Sequence, residues 1–126
     1  MNFPDSFQVS RVTSELIEYV CQRIVDTIHP RQIVLFGSRA RGEADHASDL
    51  DLMVVHDLPE TDRQVRRQIE ALFLKRRFGL DLIVRTAKEV ERNLADGNPF
   101  YTHHIYARGI ILYERDDLQY PGGDPR

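Results

Sequence analysis

The sequence has little sulfur and little lysine. It holds one cysteine, two methionines and no tryptophan, and lysine supplies only Lys75 and Lys88 of its 17 basic residues. A lone Cys21 cannot close an internal disulfide, and it excludes a cysteine-rich zinc site. No apolar run approaches the roughly 20 residues that a membrane-spanning helix needs, so a soluble chain with no membrane partner is expected. The first ten residues show no basic stretch leading into an apolar one. No secretory signal is therefore read, and the cytoplasm is the expected location. An excess of positive charge is also missing. The formal net charge is −3 and the pI about 5.9, which argues against a dedicated duplex-DNA binder, and no strong nucleic-acid binding is expected.

What is present fits one globular domain. The chain has 126 residues, 41% hydrophobic and 29% charged, enough to bury one core. No repeat or low-complexity segment interrupts it. Leu16, Val20, Ile24 and Ile28 recur every fourth residue and predict an amphipathic helix from about Val12 to Ile28, ended by Pro30. Gln32–Phe36 and Asp49–His56 read as buried strands. They are separated by a polar, small-residue loop, Gly37 to Ser48. Val65, Ile69, Leu72 and Phe73 predict a second long helix from Thr61 to Arg77. Gly79 opens a third strand, Leu80–Arg85. Thr86-Ala87-Lys88-Glu89 fits a capping box for a short helix to about Asp96. Asn98-Pro99 starts another helix, to about Ala107. Gly109 stops it, and Ile110–Tyr113 forms a last strand. The pattern predicts an α/β (α+β) domain, a small sheet of four short strands covered by helices, followed by a flexible tail, 116–126.

The chemistry concentrates in Phe36–Leu52, FGSRARGEADHASDLDL. Asp49 and Asp51 stand two apart, so in a strand their carboxylates share one face while Leu50 and Leu52 face the core. Two adjacent carboxylates repel unless a cation lies between them. Mg²⁺ prefers oxygen ligands and typically takes one or two carboxylates plus substrate phosphates. Asp81, set among Leu80, Leu82, Ile83 and Val84, is costly in a buried strand unless paired or metal-bound. With the third strand beside the second, Asp81 would join Asp49 and Asp51 and make a two-metal site feasible. Gly37 lets the backbone approach a phosphate. The amides that follow it could form an anion-binding nest, with the Ser38 hydroxyl, Arg39 and Arg41 adding contacts. A P-loop is excluded, because no Gly-Lys-Ser/Thr follows. An EF-hand is excluded, because Leu52 and Met53 stand where polar ligands are needed.

Gly37-Ser38, ten residues, then Asp49-Leu50-Asp51 resembles the signature of the DNA polymerase beta-like nucleotidyltransferase superfamily. The stretch is similar in particular to the minimal nucleotidyltransferases (MNT) of bacteria and archaea, and the ending Ala107-Arg108-Gly109-Ile110-Ile111-Leu112-Tyr113 extends the likeness to about residue 115. The resemblance implies a nucleotidyltransferase domain over residues 1–115, built on a small mixed sheet of four to five strands flanked by helices, and transfer of a nucleoside monophosphate from an NTP to a hydroxyl with release of pyrophosphate. It makes Ser38 the phosphate-binding serine, Asp49 and Asp51 the metal ligands, and Asp81 the third carboxylate that activates the acceptor. Minimal members are commonly paired with a HEPN-domain toxin, and the resemblance implies an antitoxin that moves AMP from ATP, with Mg²⁺, onto a toxin tyrosine, in a possible hetero-oligomer. Two other readings stand beside this one. The chain could be a binding module that inhibits its partner by occlusion, or a small-molecule nucleotidyltransferase, an option that a short chain is expected to disfavour because such enzymes usually carry an extra acceptor domain.

Weaker signals remain. Arg63, Arg66, Arg67, Lys75, Arg76 and Arg77 make the second long helix basic, which reads as a solvated face. His103 and His104 are adjacent, so they cannot form an i, i+4 metal pair on one helix face. His46 and His56 have no assignable partner. Cys21 reads as a packed thiol.

Overall fold

In the computed structural model, residues 12–42 and 49–116 are described. The tail from residue 117 and the loop segment 43–48, with His46, lie outside them. Helix α1 (Ser14–Ile28) is capped by the Thr13 hydroxyl, which accepts from the Leu16 amide at 3.1 Å. It ends on His29 in the left-handed region (φ 48°), whose amide donates to the Val25 carbonyl. Proline follows and cannot continue the helix. Strand β1 (Gln32–Phe36) is succeeded by β2 (Leu50–His56), α2 (Asp62–Leu72), β3 (Leu80–Thr86), α3 (Ala87–Ala95), a π-helix (Phe100–Ala107) and β4 (Ile110–Glu114).

The four strands form one mixed sheet in the order β3-β2-β1-β4. β1 pairs antiparallel with β2 and β4, and β2 pairs parallel with β3. Alternation then assigns the two faces. Ile33, Leu35, Leu50, Leu52, Val54, Leu82 and Val84 join Leu16, Val20, Ile24, Val65, Ile69 and Phe73 in one core beneath α1 and α2. Val34, Phe36, Met53 and Val55 join Val90, Tyr101 and Ile105 in a smaller core beneath α3 and the π-helix. Both faces of β1 and β2 are covered, which is why these strands read as nearly continuous apolar runs. Each fully buried Val, Leu or Ile contributes about 1.5–3 kcal/mol of hydrophobic free energy.

Two expectations shift. The second long helix ends at Leu72 rather than Arg77, because Phe73 leaves helical geometry (φ −126°, ψ 33°). Phe73 and Phe78 both turn into the core, and the chain must bend to bury them. Lys75, Arg76 and Arg77 therefore belong to the following turn and not to a basic helix face. The helix after Asn98-Pro99 is present but is a π-helix. The capping box at Thr86 and Glu89 forms as expected, and α2 carries a second one through Thr61 and Gln64.

Candidate active site

Three chain segments meet at one end of the sheet. β1 finishes there at Phe36, and the parallel strands β2 and β3 begin there. Phe36 is the register partner of Asp51, and Asp51 is the register partner of Asp81. Neighbouring strands lie about 4.8 Å apart, and equal register on parallel strands sends both carboxylates to the same face. That face is the one covered by the π-helix. Asp49 lies just before β2, and its successor Leu50 is held to β3 through the Gly79 carbonyl at 2.9 Å.

Electrostatics report the same convergence. The Asp51 carboxyl is pushed above the ordinary carboxylate range by its partial burial and by the negative charges of Asp81 and Asp49, with His104 and Arg39 acting in the opposite direction. Two glycines make room for the acids. A methyl group on Gly37 would run into the Asp51 carboxylate, and one on Gly79 would run into that of Asp49. Gly37 also has φ +78°, a conformation that L side chains rarely adopt.

The turn after β1 runs Gly37–Gly42. The Arg41 amide donates to the Gly37 carbonyl and the Gly42 amide to the Arg39 carbonyl, each at 3.3 Å. Ser38 is half-buried at its start. Arg39 donates from Nε to the Asp49 carbonyl at 3.3 Å and from Nη1 to the Val12 carbonyl at 3.4 Å. It thus ties the turn to the segment carrying the first aspartate and to the approach to α1. Arg41 is half-buried on the same turn.

The apolar residues around Asp81 suggest a buried carboxylate, and the structure differs. Asp81 is exposed, because β3 is the outer strand of the sheet. Its place beside Asp51 follows from register, not from a need to neutralise a buried charge. The sequence marks Gly79 only as a strand opener and gives no sign of its contact with Asp49. His104 was also missed as a neighbour of the acids. Helical spacing could not reveal it, since the element carrying it is not an α-helix.

Carboxylate oxygens are a donor set that suits a hard cation. Among the described residues, no three His, Cys, Asp or Glu side chains close around an ion by themselves. Mg²⁺ commonly uses one or two carboxylates and completes its shell with water and phosphate oxygens. The mutual repulsion felt at Asp51 is what such a cation would relieve.

The other singled-out groups fall outside this site. His56 is fully buried at the far end of β2, with Nε2 2.8 Å from Asp62 Oδ1. Its Nδ1 accepts from the Leu58 amide at 3.2 Å. Burial and the Glu18 carboxylate push the Cys21 thiol up to about 11, which keeps it protonated and unreactive. Among the described residues, no helix is long and apolar enough to cross a membrane.

Fold and site together define a nucleotide-transfer scaffold: a mixed sheet whose strand ends gather carboxylates beside a glycine-serine turn. A nucleotidyltransferase domain model matches residues 13–118, and the chain belongs to that family. No curated protein matches it. Among solved structures, the chain resembles a Sulfolobus solfataricus protein assigned as a nucleotidyltransferase. The two share 21% identity over 81% of this chain and 80% of that one, with a TM-score of 0.56, a likeness of fold. A toxin–antitoxin structure with AMP-PNP shows 19% identity over 81% of this chain and 78% of that one, with a TM-score of 0.47. A mutant of the toxin–antitoxin MntA-HpeT shows 17% identity over 86% and 80%, with a TM-score of 0.46.

Proposed function

We propose that this nucleotidyltransferase moves AMP from ATP to a tyrosine hydroxyl of a partner HEPN toxin in the cytoplasm, and so acts as an antitoxin. The observation that supports it most is the register that sets Asp51 beside Asp81 and opposite Phe36, the residue before the Gly37-Ser38 turn. The partner class rests on the resemblance of GSRARGEADHASDLDL to minimal nucleotidyltransferases.

In this reading, the turn amides and the Ser38 hydroxyl hold the β- and γ-phosphates, with Arg39 and Arg41 beside them. Asp49 and Asp51 are the residues that would hold Mg²⁺, with Asp81 completing a second position. A Mg²⁺ ion held there would supply charge neutralisation at the phosphates and Lewis acidity toward the attacking hydroxyl. Asp81, exposed at the open side of the sheet, accepts the proton of the tyrosine hydroxyl. The tyrosine oxygen then bonds to the α-phosphorus as the bond to the β-phosphate oxygen breaks, and pyrophosphate leaves. Such transfer depends mainly on positioning and charge neutralisation, so a scaffold of this size suffices.

The test uses the chain co-expressed with a HEPN-domain protein as the candidate acceptor. With ATP labelled at the α-phosphate, label should pass to the toxin. With γ-label it should leave as pyrophosphate. Label on this chain's partner that survives Asp49→Asn with Asp51→Asn would contradict the assignment. A toxin that is inhibited yet unlabelled would establish occlusion instead, and label on a small hydroxyl compound but not on the toxin would move the acceptor to that class.

A further inference from the structure

The carboxylates and the turn supply oxygen, amide and cationic contacts, all suited to phosphates. None offers an aromatic ring for a base. The π-helix does. The His104 ring centroid lies 5.5 Å from that of Phe36, edge-on at 68°, and 5.3 Å from that of Phe100, tilted at 33°. Phe36 is buried and fixed, the last residue of β1 and the strand partner of Asp51. His104 is exposed, and Phe100 keeps 38% of its surface open. Phe100 also packs edge-on against the buried Tyr101, 5.5 Å between ring centroids at 85°, so its open side stands beside an exposed imidazole on a fixed aromatic base.

The ledge is rigidly seated. Tyr101 and Ile105, on the same helix, are buried in the smaller core. Gly109 lets the helix end approach β1 closely. A methyl there would collide with the Ile105 carbonyl and crowd Val34 and the Leu35 carbonyl. π-helical segments recur at functional sites.

An NTP whose α-phosphate lies at Asp51 must place its base about one ribose away, and the His104 ring stands 5.5 Å from that of Phe36, the strand partner of Asp51. Imidazole and phenyl rings stack on any nucleobase, because every base has a π-face. We propose that the nucleobase of the bound NTP stacks on His104, with Phe36 and Phe100 holding the imidazole in place. The inference rests on the reading that the acids and the turn grip the triphosphate. It makes His104 a substrate-binding residue that contributes to affinity for the nucleoside.

Calorimetric titration of the full chain with Mg–ATP and with Mg–tripolyphosphate tests this, because the second ligand has no base. His104→Ala should weaken ATP roughly tenfold, within the range of one base stack, and leave tripolyphosphate unchanged. His104→Phe should retain ATP binding, because it keeps an aromatic ring at the position. Equal weakening of both ligands in both variants would overturn the proposal and make His104 a phosphate contact. Unchanged ATP binding in His104→Ala would also overturn it. A wild-type chain that binds neither ligand would instead overturn the triphosphate reading beneath it.

Discussion

Gly79 packs so tightly against Asp49 that a single methyl group on it would collide with the carboxylate. The relationship crosses from β3 to the start of β2, and it places the first aspartate by a residue that has no side chain. Gly37 does the same for Asp51 from the other side. The two positions differ in backbone. Gly37 is left-handed at φ +78°, whereas Gly79 is not among the residues of positive φ.

That difference separates two variants. Gly79→Ala should fold normally, because the exposed Asp49 side chain can swing aside. Transfer activity should then fall on the order of a hundredfold, as expected when a reacting constellation is displaced by about 1 Å. Gly37→Ala should lose activity and also lose about 1–2 kcal/mol of stability, through the left-handed backbone. Thermal melts run beside an activity assay check both. A Gly79→Ala variant with full activity would show that Asp49 needs no fixed place.

Asp51 should trade stability for function. Its carboxyl is held above the ordinary range by burial and by Asp81 and Asp49. For an acid raised in the folded state, ionisation costs folding free energy. That cost is absent below the unfolded Asp pKa of about 3.9 and grows as pH rises through the folded value. Asp51→Asn should therefore melt higher than wild type near pH 7, and the difference should vanish as the pH falls below about 4. The same variant should lose transfer by about a thousandfold, since several kcal/mol of charge stabilisation depend on the metal that Asp51 would hold. Melting curves from pH 3 to pH 8 measure the first effect. A variant less stable than wild type at pH 7 would contradict it.

His56 should prove structural. Its Nδ1 accepts from Leu58, so Nε2 carries the proton and donates to Asp62. The Asp62 carboxyl is raised by burial and by its hydrogen bond with Glu89, while Glu89 is lowered, chiefly by the Thr86 amide of its capping box. The cluster pins the end of β2 to the first turns of α2 and α3. His56→Ala should cost about 3 kcal/mol, combining a core cavity with unpaired polar groups. Below its melting point, this variant should keep the transfer rate of wild type. Denaturant unfolding and a rate measurement at low temperature separate the two effects.

Much of this was legible in the sequence for a physical reason. Strand period and the Gly37-Ser38 to Asp49-Leu50-Asp51 spacing depend on local geometry, so β1, β2 and the acid pair fall where alternation puts them. Asp81 was placed through the right neighbour by the wrong premise, because nothing local distinguishes an outer strand from an inner one. His104 and Gly79 were illegible as site residues. Their roles arise from contacts across the sheet and from a helix whose winding departs from the 3.6-residue period. The early end of α2 reflects the demand of the core for Phe73 and Phe78, which overrides helix propensity in the arginine-rich segment.

The central claim is that Asp49, Asp51 and Asp81 converge to hold a divalent cation together with a triphosphate. The most direct measurement is electron paramagnetic resonance of Mn²⁺ titrated into the chain, with and without a non-hydrolysable ATP analogue. The account predicts weak Mn²⁺ binding alone, much tighter binding once the analogue is added, and loss of that gain in Asp51→Asn. Mn²⁺ binding that is indifferent to the analogue, or unaffected by Asp51→Asn, would contradict it.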